Sequence, residues 1–274
     1  DVLNRAVSQV DGVVHLAAMW LLHSKEYPRT AFDVNIQGTF NVLEACVNNG
    51  IERLVYSSSA SVYGDAAFIP MTEEHPFNNR NFYGASKIAG EAMARAFYDR
   101  YGLSYVGLRY MNVYGPYQDQ TAAYTGVIPI MLNKIDANEV PIINGDGSQA
   151  YDFVSARDVA RCNVLSLKSE VADEFFNVGT GVQTSIKELC DLILELKESE
   201  LKVEYKPYSE EPLYIFSTTE NHVRVCLYKI IGPLISSTKQ KILREQLAFH
   251  TLFQEPARVV VAQHYQFECI AVLQ

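Results

Sequence analysis

The chain of 274 residues is 48% hydrophobic and 20% charged, the composition of a folded globular protein and not of a disordered or fibrous one. Its formal net charge of −9 argues against nucleic acid as a partner, because binding a phosphate backbone requires a basic face. An anionic ligand would have to be held by local groups. The cysteines Cys46, Cys162, Cys190, Cys226 and Cys269 are scattered and form no CxxC pair, so neither a disulfide framework nor a metal centre is expected, and a reducing cytoplasm is the expected compartment. No apolar run reaches the ~18 residues of a membrane-spanning helix, and the amino end lacks the layout of a signal peptide, so no membrane is expected as a partner.

In chain order, Gly12 to Ala18 (GVVHLAA) reads as a buried strand. Thr30 to Gly50 reads as a helix, with Gly50 placed to take the left-handed conformation at its end. Arg53 to Ser57 is the next expected strand, Phe82 to Tyr101 a helix stopped at Gly102, and Ser104 to Tyr110 a third strand. This βαβαβ succession predicts an α/β fold with a parallel sheet. Further on, Ser185 and Glu188 form a capping box ahead of Ile186, Leu189, Ile193 and Leu196 on one helical face. With no repeat, low-complexity tract or Pro/Ser linker, a second lobe is expected to follow without a flexible hinge.

Two polar groupings stand out. Ser57, Ser58 and Ser59 end the second strand, and Tyr83 and Lys87 are four positions apart on the following helix, on one face about a turn apart. A phenol titrates near pH ~10, and an adjacent ammonium favours its phenolate, so this spacing suits a tyrosine base near neutrality. Taken singly, the serines are equally an ordinary turn and the Tyr/Lys pair an ordinary helix surface. Their joint placement at the carboxyl ends of parallel strands is where α/β sheets bind ligands.

The ordered series VVHLAA, NIQGTFNVLEA, RLVYSSSASVYG, YGASK, LRYMNVYGP, INGDGSQAYDFV and FNVGTG resembles the extended short-chain dehydrogenase/reductases that act on nucleotide sugars, the UDP-glucose 4-epimerase type in particular. The resemblance runs from about Asp1 to about Glu211. It implies a Rossmann-type doubly wound parallel sheet with a smaller carboxy-terminal α/β substrate lobe, divided as a partial NAD-binding domain over 1–115 and a substrate lobe over 116–274. It also implies NAD as cofactor, a nucleotide sugar, UDP-linked above all, as substrate, and a homodimer. On this resemblance Tyr83 is the base that takes the proton of the sugar C4 hydroxyl, Lys87 holds the nicotinamide ribose and lowers the tyrosine's pKa, and Ser59 hydrogen-bonds the reacting hydroxyl. Leu16, Ala17, Ala18, Asn35, Ser57, Ser58, Tyr110 and Met111, with Tyr83 and Lys87, match positions beside the dinucleotide. Asn112, Val127, Ile142, Ile143, Asn144 and Tyr151, with Ser59, match positions around the nucleotide sugar. Ala17, Ala18 and Val127 are equally explained as core packing.

The residues after Ser59 discriminate among the family's reactions. Sugar 4,6-dehydratases of this architecture place an Asp-Glu pair there, because eliminating water needs a further acid and base, and UDP-glucuronate decarboxylases usually have a glutamate at the second position. Here the positions hold Ala60 and Ser61, which favours 4-epimerisation over dehydration or reduction. Three departures from the family are also present: no GxxGxxG turn precedes Val13, Tyr151 stands where a diphosphate-binding arginine is usual, and the resemblance fades from about Pro212. The family's first strands are accordingly expected to be missing, leaving an apolar flank near Val13 and Val14 and weakened NAD binding. The competing expectation is a catalytically silent protein that pairs with partners through the helices carrying Asn35 and Tyr83.

Overall fold

In a computed structural model the protein is described over residues 2–118 and 126–207. The tail from about Pro212, where the resemblance fades, lies outside the described residues. The amino-terminal half runs through α1 (Val2–Val7), β1 (Gly12–His15), α2 (Leu21–Glu26), α3 (Pro28–Ala31), a π-helical stretch (Phe32–Gln37) and α4 (Gly38–Asn48). It continues with β2 (Arg53–Ser59), a 3₁₀ turn (Ala60–Val62), α5 (Phe82–Tyr101) and β3 (Tyr105–Tyr110). Then follow β4 (Asn112–Tyr114), α6 (Val127–Asp136), β5 (Ile142–Asn144), β6 (Ala150–Ser155), α7 (Ala156–Lys168) and β7 (Glu174–Val178). The last described elements are β8 (Gln183–Ser185), α8 (Ile186–Leu196) and β9 (Glu204–Lys206).

Four strands form the main sheet in the order β1-β2-β3-β7, every neighbouring pair parallel. Nearly continuous burial along β2 and β3 is what a parallel sheet covered on both faces requires. One face is packed by Val7, Val42, Leu43 and Phe97 around Val13, Leu54 and Tyr105. The other is packed by Val159 and Cys162 of α7 around Val14, Val55 and Leu108. The side chains of Val13 and Val14, expected beside an uncovered flank with an unpaired strand edge, are 1% and 5% exposed, while β1 does stand at the edge, with β2 its one strand neighbour among the described residues. The reason for their burial is that α1 and α4 close over one side and α7 over the other.

A second core gathers α6, α8, β5 and β6 around Ile128, Ile143, Phe153, Leu189 and Ile193, with β6 joined to β4 and β8 and β5 to β9. The boundary expected near residue 115 is not a single cut, because β7 returns from the later half to complete the first sheet. Helix ends follow the local chemistry. Gly102 takes φ 71° at the end of α5, and Ser185 with Glu188 closes the capping box of α8, each satisfying backbone groups left over at a helix end.

Candidate active site

The polar groups collect at the carboxyl ends of β1, β2 and β3. Ser59 ends β2 and caps the 3₁₀ turn, its Oγ accepting from Ser61 N at 3.2 Å and donating to Ser61 Oγ at 3.0 Å. These two bonds fix its rotamer. Tyr83 enters on the first turn of α5, where the Asn81 side chain caps the helix by accepting from Gly84 N at 2.8 Å. Gly84 allows the close approach, since a Cβ there would lie 2.4 Å from the Ser61 carbonyl and 2.1 Å from Asn79 Oδ1. The half-buried Tyr83 side chain thereby stands beside Ser59. Burial pushes that phenol above its ordinary range and the Ser59 contact opposes the rise.

Lys87 lies one turn deeper, 4% exposed, its Nζ donating to the Ser57 carbonyl at 2.7 Å and standing 5.6 Å from the centre of the Tyr83 ring. Burial lowers its pKa to about 8, against the pull of Glu91. Tyr110 Oη donates to Asn163 Oδ1 at 2.9 Å and meets Ser57 Oγ at 3.0 Å. With that proton committed, Ser57 is the donor to Tyr110. Burial pushes the Tyr110 phenol up to about 12, opposed by these two hydrogen bonds.

Behind the site a polar hub went unnoticed in the sequence. Glu91 accepts from Ser58 Oγ at 2.6 Å and from Arg109 Nε and Nη2 at 2.9 and 2.7 Å. Arg109 also donates to Tyr63 Oη and the Glu73 carbonyl, both at 2.9 Å, and Tyr63 Oη donates to Asn177 at 2.6 Å. The hub joins β2, α5, β3 and β7. Two signals for it were present: Glu91 continues the Tyr83–Lys87 stripe by a further four residues, and Arg109 interrupts the apolar strand YVGLRY, which implies a buried partner.

The other expected site residues separate into two groups. Leu16, Ala17 and Ala18 follow β1 with partial exposure. Asn35, 2% exposed, turns its side chain to Met19 and Ser86. Met111 is held to β7 by its N–H donating to the Val178 carbonyl at 2.9 Å, and Asn112 opens β4. In the lobe, Ile143 is 1% exposed within the second core and the Tyr151 ring packs 5.8 Å from that of Phe153. Val127 packs against the same core. Ile142 and Asn144 are half-buried, and the Asn144 carbonyl accepts from Gln149 at 2.8 Å.

A profile of the NAD dependent epimerase/dehydratase family matches residues 1–179. The chain belongs to that family. A Methanocaldococcus jannaschii relative provisionally named UDP-glucose 4-epimerase is 41% identical over 67% of this chain and 60% of its own length, so the chain spans about 60% of that relative. Among solved structures, the UDP-N-acetylglucosamine 4-epimerase of Methanobrevibacter ruminantium in complex with UDP-N-acetylmuramic acid has a TM-score of 0.83 at 31% identity, covering 90% of this chain and 79% of that one. The Thermus thermophilus UDP-glucose 4-epimerase in complex with NAD has a TM-score of 0.76 at 29% identity, covering 91% and 81%. The main sheet is accordingly the Rossmann-like sheet of this epimerase/dehydratase family. Its residues fit the family's cofactor: among the described residues the buried Lys87 ammonium makes one hydrogen bond, and a cation with two N–H groups to spare suits a pair of ribose hydroxyls.

Proposed function

We propose that this protein catalyses NAD-dependent epimerisation of a nucleotide-diphosphate sugar, at C4 of a UDP-hexose or UDP-uronate. The observation that carries the reading is Tyr83 beside Ser59 with the buried Lys87 one turn below it, its Nζ bonded to the Ser57 carbonyl and 5.6 Å from the centre of the Tyr83 ring. Bound at the ends of β1 to β3, the dinucleotide would supply a hydride acceptor that is regenerated within each cycle. Tyr83 takes the proton of the sugar's 4-hydroxyl and returns it. Ser59, fixed by its bonds to Ser61, hydrogen-bonds the same hydroxyl. Lys87 places positive charge beneath the phenol and donates to the ribose. Leu16, Ala17, Ala18, Ser57, Tyr110 and Met111 line the cofactor side, and Asn112 and the lobe face the sugar nucleotide.

Epimerisation is favoured over dehydration because Ala60 and Ser61 follow Ser59, and Ser61 is already bonded to it. No acid/base pair stands there to expel water from the sugar. UDP is favoured by the UDP ligand of the Methanobrevibacter structure. Two copies pair through α4 and α5, where Phe40 (40% exposed) stacks edge-on against Phe97, next to the exposed Tyr101.

The test is Tyr83→Phe in the complete protein, assayed against a panel of UDP- and GDP-sugars by product chromatography. Loss of the general base lowers turnover by about two orders of magnitude or more, with the melting temperature nearly unchanged. Turnover near the wild-type rate would overturn the role given to Tyr83, and products from GDP-sugars alone would overturn the UDP assignment.

A further inference from the structure

At Met111 the chain leaves the main sheet for the lobe. The Met111 N–H donates to the Val178 carbonyl at the end of β7, and the next residue, Asn112, stands in register with Phe153 of β6. Strand β6 belongs to both halves: Tyr151 and Phe153 lie in the lobe core, and Val154 lies in the core beneath α7. Between Tyr151 and Phe153 stands Asp152, 8% exposed and opposite Gln183 of β8.

The Asp152 carboxylate takes its hydrogen bonds from one loop, the one that follows β7. Oδ1 accepts from Thr180 N at 2.8 Å and from Thr180 Oγ1 at 2.6 Å, and Oδ2 accepts from Gly181 N at 2.8 Å. Two successive backbone N–H groups aimed at one anion form a concavity that fixes it, and Gly181 supplies the left-handed turn, φ 71°. Thr180 Oγ1 also accepts from Val182 N at 3.1 Å. At Gly179 the packing is closest, since a Cβ there would lie 2.5 Å from Asp152 Oδ2 and 2.8 Å from Met111 Cγ. A carboxylate on the lobe strand thus grips the loop against which Met111 packs.

We propose that Asp152 is a positioning residue, a clasp between β6 and the 179–181 loop that fixes the lobe against the carboxyl end of the main sheet. This rests on the reading that places the dinucleotide at the sheet, beside Met111, and the sugar nucleotide against the lobe. The two reactants are then held by different halves, and the clasp sets the distance across which the hydride passes. Asp152 acts through Thr180, Gly181 and Met111. The spacing matters because misplacing reacting groups by about 1 Å can lower a rate ~100-fold.

The experiment is Asp152→Asn in the complete protein, a change of near-equal volume whose amide has one oxygen and cannot accept from both Thr180 and Gly181. Amide hydrogen exchange is read segment by segment, alongside kcat and the dissociation constants of NAD⁺ and of UDP, each measured alone. Exchange in residues 178–182 and 111–114 is expected to speed by about tenfold, with α1 at the wild-type rate. Turnover falls by about 10- to 100-fold, and both dissociation constants stay at their wild-type values. Thr180→Val, which loses the hydroxyl and keeps both backbone donors, gives a smaller change of the same kind and serves if Asp152→Asn does not fold. Thr180→Ser, which keeps the hydroxyl, behaves as the unaltered protein. Unchanged exchange in 178–182, or faster exchange there with kcat unchanged, would overturn the clasp. If the unaltered protein turns over no sugar nucleotide, the proposed function fails, and the exchange pattern by itself decides the clasp: a rise reaching 111–114 supports it, and a rise confined to 178–182 overturns it.

Discussion

Lys87 is the residue at which stability and chemistry conflict. Its pKa falls from 10.5 to about 8 on folding, through burial and against Glu91, so between those values the unfolded chain binds more protons. Stability therefore rises with pH across that window and is at its lower level below about pH 8. Replacing Lys87 by Met, similar in length and uncharged, removes a burial penalty of up to about 3 kcal/mol and one hydrogen bond worth ~1 kcal/mol. Denaturant unfolding at pH 7 is expected to show Lys87→Met more stable by about 1–2 kcal/mol, with the gain gone by pH 10.5 and activity lost throughout. A variant less stable than wild type at pH 7 would mean that the ammonium is held by more than burial allows. The Tyr83–Lys87 pair was legible because a helix repeats its faces every three to four residues. The partners that set their behaviour were not: Ser59 reaches Tyr83 through a close approach across the chain, and Glu91 answers an arginine on another strand, both long-range facts without a local pattern.

At the scale of elements, α5 carries the site because glycines let it lie close to the sheet. Gly84 abuts the Ser61 carbonyl, and at Gly90 a Cβ would meet Tyr56 Oη at 2.0 Å, where the Tyr56 hydroxyl donates to the Lys87 carbonyl at 3.4 Å. Gly84→Ala is expected to push the first turn of α5 off the 3₁₀ turn, because the Ser61 carbonyl is backbone that cannot yield cheaply and the Asn79 side chain crowds the same space. The measurement is turnover against thermal unfolding: stability falls by about 1–3 kcal/mol, the usual scale of overpacking, while kcat falls by a larger factor than that loss implies. Equal retention of both would show that the contact is not what holds Tyr83 to Ser59. The ends of α5 and its Gly102 stop were readable from sequence, as were β2, β3 and the capping box of α8. The π-helical stretch was not, since a single widened turn leaves the apolar periodicity of Thr30 to Gly50 nearly intact. The three-residue strands β4, β5, β8 and β9 are too short to show any period.

For the whole molecule, the βαβαβ reading predicted the parallel sheet but not its fourth strand, which comes only after β4 to β6 and α7. Covering by α1, α4 and α7 likewise depends on segments whose amphipathic faces declare themselves only once the sheet is in place. The proposed pairing of two copies belongs to this scale. Phe40→Glu puts a charge into the apolar row of Phe40, Phe97 and Tyr101, and sedimentation velocity is expected to show monomers where the unaltered protein sediments as a dimer. A variant that still sediments as a dimer would place the interface elsewhere.

The position of β7 also orders the events of synthesis. Val106 pairs with Glu174 and Tyr110 with Val178, so β3 leaves the ribosome long before the strand that will cover its edge. At about 5–20 residues per second, the stretch from Met111 to Asp173 takes on the order of 3–13 s to make. Throughout that interval the nascent sheet ends in the unpaired backbone N–H and C=O groups of β3 between apolar Val106 and Leu108, the kind of edge that recruits other chains. A chaperone that holds newly made protein for a few seconds would have its reason to act here, and the lobe sets the length of the wait.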